Sequence, residues 1–186
     1  MKTLSPSARD LQHLDGPQVI ATLPSVSNGQ AHCAVVLAGG NGTRLQSLTL
    51  KISRYLRPKQ FCGIFCGESL LSRTWQRLRP LFGSDHTIFV FTMAHERFHR
   101  EELPRAENSL RFVQPENRGT AVGITAAILG IIRSDIDAMM ALFPCDHYNR
   151  GDDAFALTIR SAMAFAEEHP TSLILLGAQA HYPEVL

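Results

Sequence analysis

Residues 33–38 read Cys-Ala-Val-Val-Leu-Ala and run straight into Gly39-Gly40-Asn41-Gly42. A run with no polar position suits a strand buried on both faces, and such strands belong to parallel sheets covered by helices. The rest of the chain repeats the theme. Residues 87–93 (TIFVFTM) form a second buried run, 110–113 a brief one, 138–143 (AMMALF) another and 172–176 (SLILL) a last strand ending at Gly177. Between them lie helical patterns. Behind Ser69, a suitable N-cap, Leu71, Trp75, Leu78 and Phe82 fall at i, i+4, i+7 and i+11 on one stripe. Residues 95–103 predict a short charged helix stopped by Pro104. Residues 119–132 are apolar almost all round and predict a well-buried helix whose glycines permit close packing. Residues 152–169 predict an amphipathic helix stopped by Pro170. Alternating strand and helix predicts an α/β protein with a doubly wound, mostly parallel sheet and helices on both faces.

The whole-chain properties narrow the function classes. At 186 residues there is room for one domain with a real core. A formal net charge of +1 predicts no nucleic acid partner and no membrane attraction. No apolar stretch approaches the roughly 18 residues of a membrane span, and the first ten residues do not read as a secretory signal. A cytoplasmic protein is expected. Cys33, Cys62, Cys66 and Cys145 lack zinc-site spacing and read as buried thiols in a reducing compartment. Residues 1–30 show no sustained period and read as a polar N-terminal extension of uncertain order, with the domain starting near Ala31.

In a parallel sheet, ligands collect at the carboxyl ends of the strands. That directs attention to loops 39–45, 114–120, 144–148 and 177–184. A dinucleotide fingerprint fits the first loop only as far as Gly40-x-Gly42, because Leu45 stands at the third glycine and no acidic residue follows about twenty positions on. A Walker loop fails too, since Thr43-Arg44 follows Gly42 where Lys-Ser/Thr is needed.

A third reading fits more residues. Leu37-Ala38-Gly39-Gly40-Asn41-Gly42-Thr43-Arg44-Leu45 resembles the signature of the sugar-phosphate nucleotidyltransferases. Pro58-Lys59-Gln60-Phe61 is similar to the second signature of their mannose-1-phosphate guanylyltransferase branch. Gln114 to Ala121 (QPENRGTA) resembles that branch's base-pocket segment. Phe143-Pro144-Cys145-Asp146-His147 resembles its metal-binding turn, with Cys145 in place of the usual Ser. Gly177 and Pro183-Glu184 resemble the start of its sugar-binding segment.

The resemblance implies a Rossmann-like fold of the nucleotide-diphospho-sugar transferase type. It implies transfer of a nucleotidyl group, GMP from GTP, to mannose 1-phosphate with release of pyrophosphate, and Mg²⁺ as the metal. Residues 31–186 then form the nucleotide-binding half of that domain. Leu37, Ala38, Gly39, Gly40, Gly42, Thr43 and Arg44 lie at the nucleotide, with Gln114 and Gly119 at the base. Arg44, Lys59 and Asp146 are the implied catalytic residues, Asp146 also the metal ligand, and Gly177 and Glu184 the sugar contacts. The chemistry suits these residue types. Glycines let backbone N–H groups face phosphates. Arg44 brings a planar permanent charge to the β- and γ-phosphates. Lys59 is a point charge for the α-phosphate or the incoming sugar phosphate. Gln114 reads equally as a plain turn residue, and Asn117 and Thr120 read as caps of the following helix. His147 either supports the metal ligand or lies on the surface. The thiol of Cys145 is a poorer hydrogen-bond donor than a hydroxyl.

Two other patterns compete. His95-Glu96-Arg97-Phe98-His99 fits the H-E-x-x-H zinc pattern, but the helix is short and crowded with charge. Asp135-x-Asp137 precedes a strand, on the edge opposite the site, and reads as a solvated turn. The chain stops two residues after Glu184. The family continues there, so the sheet and the sugar-phosphate pocket are expected to be incomplete. A non-catalytic nucleotide-binding protein, or one that pairs with a second copy or a longer relative, is the alternative expectation.

Overall fold

The computed structural model describes residues 18–19, 31–64, 66–103 and 110–178. The chain divides into two compact units, residues 1–148 and 149–186. The first unit runs β1 (Gln18–Val19), β2 (His32–Leu37), α1 (Gln46–Ser53), α2 (Leu70–Phe82), β3 (Thr87–Thr92), α3 (Glu96–Glu102), β4 (Leu110–Gln114), α4 (Thr120–Ile132) and β5 (Met139–Pro144). The strand order is β1-β4-β3-β2-β5. The neighbours β4-β3-β2-β5 are parallel, and β1 pairs antiparallel with β4. Gln18–Val19 lie ahead of Ala31 and extend the sheet at its edge. The second unit carries α5 (Asp152–Glu168).

The position of β2 explains its composition. It is hydrogen-bonded to β3 on one edge and β5 on the other, and Cys33, Ala34, Val35 and Val36 are completely buried. Its side chains alternate between two cores. On one face Cys33 and Val35 join Ile88, Val90, Phe112, Ala127 and Ile131, an aliphatic layer beneath α4. The other face is aromatic. Trp75 of α2 meets Phe89 edge-on at 5.7 Å, and Phe61 lies 6.2 Å from Phe91 and 5.5 Å from Phe98. Ser69 caps α2 by accepting from Ser72 N–H at 3.0 Å. The stripe of Leu71, Trp75, Leu78 and Phe82 is buried, as its spacing predicts.

Several expectations need correction. Helix α4 is not buried all round. Gly123, Ala127 and Ile131 are buried, while Val122, Leu129 and Ile132 are exposed. A helix on a sheet buries one stripe, and apolar composition alone cannot cover its other side. Residues 172–176 form no strand, and Leu173 and Leu175 are more than four-fifths exposed, at 83% and 82%. Helix α1 is unforeseen because Leu48, Leu50 and Ile52 recur every second residue, a strand-like spacing. All three are exposed. Cys66 is exposed rather than buried and sits in a left-handed turn at φ 51°. Pro104 lies outside the described residues. Among the described residues, no helix is long and apolar enough to cross a membrane.

Candidate active site

Strands β2, β4 and β5 are parallel, so loops 39–45, 114–120 and 144–148 leave the same edge of the sheet. The first loop shows why glycine is needed. Gly42 has φ 62°, a left-handed conformation that suits glycine, and a Cβ there stands 3.1 Å from the backbone nitrogen of Lys59. A Cβ on Gly39 stands 3.3 Å from Thr92 and 3.6 Å from the Gln114 side-chain nitrogen. Beside Gly40, by contrast, no described atom lies within 4 Å of a Cβ. The loop is tight against the protein at Gly39 and Gly42 and open at Gly40. Leu37 closes β2, and Ala38 is fully buried, with its N–H donating to the Val90 carbonyl at 2.9 Å. Thr43 and Arg44 follow on an exposed single turn, Thr43–Leu45. Among the described residues no acidic group pairs with Arg44.

The segment from Pro58 to Phe61 holds that loop in place. Its three final side chains divide the work. Phe61 is anchored in the aromatic core. Gln60, 2% exposed, donates its amide N–H to the carbonyls of Ala38 at 2.9 Å and Gly40 at 2.7 Å. Two of the loop's acceptors are thus engaged inside the protein, which leaves the loop less repulsive toward an anion. Lys59 lies against Gly42 and forms an ion pair with Asp146. Gln60 escapes a reading of the sequence because an amide beside a lysine reports no partner; only the contact with Ala38 and Gly40 gives it a role.

Asp146 stands just beyond β5 on a well-tied turn. Cys145 N–H donates to the Leu37 carbonyl at 3.3 Å, and the Cys145 carbonyl accepts from the Thr74 hydroxyl of α2 at 3.1 Å. Cys145 itself is buried, and burial above all, with the Asp146 charge adding, pushes its thiol far above the usual range. The turn is held through its backbone and Thr74, so the thiol is not what arranges it. The half-buried Lys59–Asp146 pair brings the second and fourth sequence motifs together beside the glycines. His147 is exposed.

At the end of β4, Gln114 is 6% exposed, and among the described residues its side-chain oxygen has no hydrogen-bond partner. This is not the environment of a simple turn residue. Gly119, at φ 92°, precedes α4 and donates its N–H to the Asn117 side-chain oxygen at 3.1 Å. Asn117 therefore folds the turn, and neither it nor Thr120 caps the helix by a side chain; Gly119 occupies the cap position. Gly177 belongs to the second unit and is exposed. Glu184 lies outside the described residues.

The H-E-x-x-H histidines serve the core instead. His95 is buried, with its ring nitrogen 3.0 Å from the Thr92 hydroxyl, and burial lowers its pKa. His99 stacks on Phe91 at 4.4 Å, and burial, then the Arg111 charge, holds its pKa down to about 4. Among the described residues no three His, Cys, Asp or Glu side chains are grouped to hold a metal. Asp135 accepts from Ala31 N–H at 3.3 Å and from Asp137 N–H at 3.0 Å, a turn that pins the start of β2.

A glycine turn beyond a central parallel strand, faced by a lysine and a carboxylate, lies at the strand ends, where α/β sheets commonly place their ligands. Residues 33–183 match the family model described as nucleotidyl transferase, and the chain belongs to that family. It is 32% identical over 152 residues to the xanthan biosynthesis protein XanB of Xanthomonas campestris pv. campestris (strain B100), covering 81% of this chain and 31% of that protein. It is 33% identical over 157 residues to a mannose-1-phosphate guanylyltransferase of Escherichia coli, covering 81% of this chain and 32% of that protein. A crystal structure of mannose-1-phosphate geranyltransferase from Thermus thermophilus superposes with a TM-score of 0.64 at 29% identity, over 75% of this chain and 39% of that one. The chain spans about a third of the length of the curated relatives it matches.

Proposed function

We propose that this chain carries the nucleotide-binding half of a cytoplasmic enzyme that joins GMP, taken from GTP, to mannose 1-phosphate and releases pyrophosphate. The observation that carries this reading is the Lys59–Asp146 pair set against Gly42, where a cation donor and a carboxylate face a glycine turn open at Gly40. An oxygen of the sugar phosphate attacks the α-phosphorus in line. The bond from the α-phosphorus to the bridging oxygen breaks, and pyrophosphate leaves with that oxygen. Such a reaction needs positioning and charge neutralisation more than covalent help.

Each residue then has a task. The glycine loop, with its Ala38 and Gly40 carbonyls engaged by Gln60, lets the triphosphate approach the backbone. Arg44 sits exposed on the next turn and binds the departing phosphates. Lys59 binds the α-phosphate or the incoming sugar phosphate. Asp146 fits a magnesium site, because its carboxylate already holds a cation, the Lys59 ammonium. Magnesium beside phosphates takes few protein carboxylates and fills its shell with phosphate and water oxygens. When bound, it supplies positive charge to the phosphate oxygens. Gln114 faces the base, by resemblance.

Thermal unfolding with Mg²⁺ and each common nucleoside triphosphate tests this reading, since a ligand of the folded state raises the midpoint. GTP is expected to raise it most, and mannose 1-phosphate is then expected to release pyrophosphate. No rise with any triphosphate overturns the proposal. A rise without pyrophosphate release leaves a nucleotide-binding module, and adding a full-length relative tests whether pairing restores turnover.

A further inference from the structure

Gln114 is enclosed by two glycines from different elements. A Cβ on Gly123 of α4 stands 3.1 Å from its side-chain nitrogen, 3.7 Å from its Cδ and 3.2 Å from the Val90 methyl. A Cβ on Gly39 stands 3.6 Å from the same nitrogen. The carboxamide thus lies in a slot whose walls are the backbone of the glycine loop and the backbone of α4. Glycine inside a helix is unfavourable to the helix, and no left-handed conformation requires it at Gly123. Its counterpart Gly130 has nothing within 4 Å of a Cβ among the described residues. What Gly123 provides is room for Gln114. The oxygen of the same carboxamide is buried and, among the described residues, unpartnered, a costly state that a ligand N–H relieves.

We infer that Gly123 is a positioning residue for nucleobase selection: by leaving space beside α4 it sets how deep the Gln114 carboxamide sits, and so which base edge that side chain meets. This rests on the nucleotide-binding reading above. The ligand chemistry is a nucleobase with an amide-type N–H on the edge turned to Gln114, as in guanine, which pairs with the free acceptor. Adenine presents no ring N–H there. A methyl at Gly123 moves the carboxamide by a few tenths of an ångström and leaves Lys59, Asp146 and the loop of Gly42 untouched.

The test measures binding of GTP, ATP and inorganic tripolyphosphate to the full chain and to Gly123→Ala. The expected result is a fall of about tenfold in the GTP-to-ATP preference, the scale of one hydrogen bond, with tripolyphosphate affinity unchanged. A purely structural role moves all three ligands together. An unchanged preference in a folded variant overturns the inference while leaving the nucleotide-binding reading intact. No tripolyphosphate or nucleotide binding by the parent chain overturns that reading instead. If Gly123→Ala does not fold, the double variant Gly123→Ala/Gln114→Ala removes the carboxamide the new methyl meets. Recovered folding then supports the contact, and a double variant that stays unfolded overturns it.

Discussion

The two faces of the sheet hold different halves of the site by different means. The α2–α3 face is aromatic, with Trp75 on Phe89, Phe61 between Phe91 and Phe98, and His99 stacked on Phe91. From it come Gln60 and Lys59, the two residues that precede Phe61. The α4 face is aliphatic and partly made of small residues, Cys33, Val35, Ala127 and Ile131 among them. From it come Gly123 and the slot that holds Gln114. Rings pack with directional preference and fix the angle of what is attached to them. Small side chains do the opposite and leave space. The charged arm of the site is held rigidly, and the amide arm is accommodated.

The largest expected effect separates the faces. Phe61→Ala is expected to cost about 3–5 kcal/mol and Ile131→Ala about 2–5 kcal/mol, both read from denaturant unfolding. The milder Phe61→Leu, which keeps the fold, is expected to weaken tripolyphosphate binding through Gln60 and Lys59. A variant at Ile131 that also weakens tripolyphosphate binding, beyond its loss of folded protein, breaks the comparison.

Next come the charges. Arg44→Ala and Lys59→Met are each expected to weaken triphosphate binding by about 10–100-fold, the scale of a charge-assisted hydrogen bond. Nucleoside binding should stay unchanged in both, as calorimetry with guanosine and GTP will show. Equal losses for the two ligands remove Arg44 or Lys59 from the phosphates.

A smaller effect concerns pH. In the folded chain His99 has its pKa lowered from 6.5 to about 4, first by burial. The unfolded chain binds more protons between those values, so stability is full above pH 6.5 and falls as the pH drops toward 4. Replacing His99 with Phe should flatten the thermal midpoint across that range, and an unchanged slope places the pH sensitivity elsewhere. The smallest effect is expected on the outer side of α4. Leu129→Ser, where the side chain is 58% exposed, should change stability by no more than about 0.5 kcal/mol. A loss of several times that size means the outer side is covered in solution.

Much of the sheet was legible because its signals are local. The unbroken run into Gly39 marked the central strand, the stripe from Leu71 to Phe82 marked α2, and Ser69 marked where α2 starts. Periodicity and capping depend on neighbours within a few positions, so the sequence determines them alone. The motifs at Gly39, Lys59 and Asp146 were legible as residue types suited to phosphate and metal, and Gln114 was singled out only through the family resemblance. Their arrangement was not. Lys59 meets Asp146 because β2 and β5 lie side by side in the sheet. Gln60 has a role because the chain folds back onto Ala38 and Gly40. The exposed side of α4 and the burial of His95 and His99 likewise follow from what packs against each, and residues 172–176 stay irregular and largely exposed. Burial is a property of two surfaces, and a sequence lists only one of them at a time; the tertiary structure alone supplied the second.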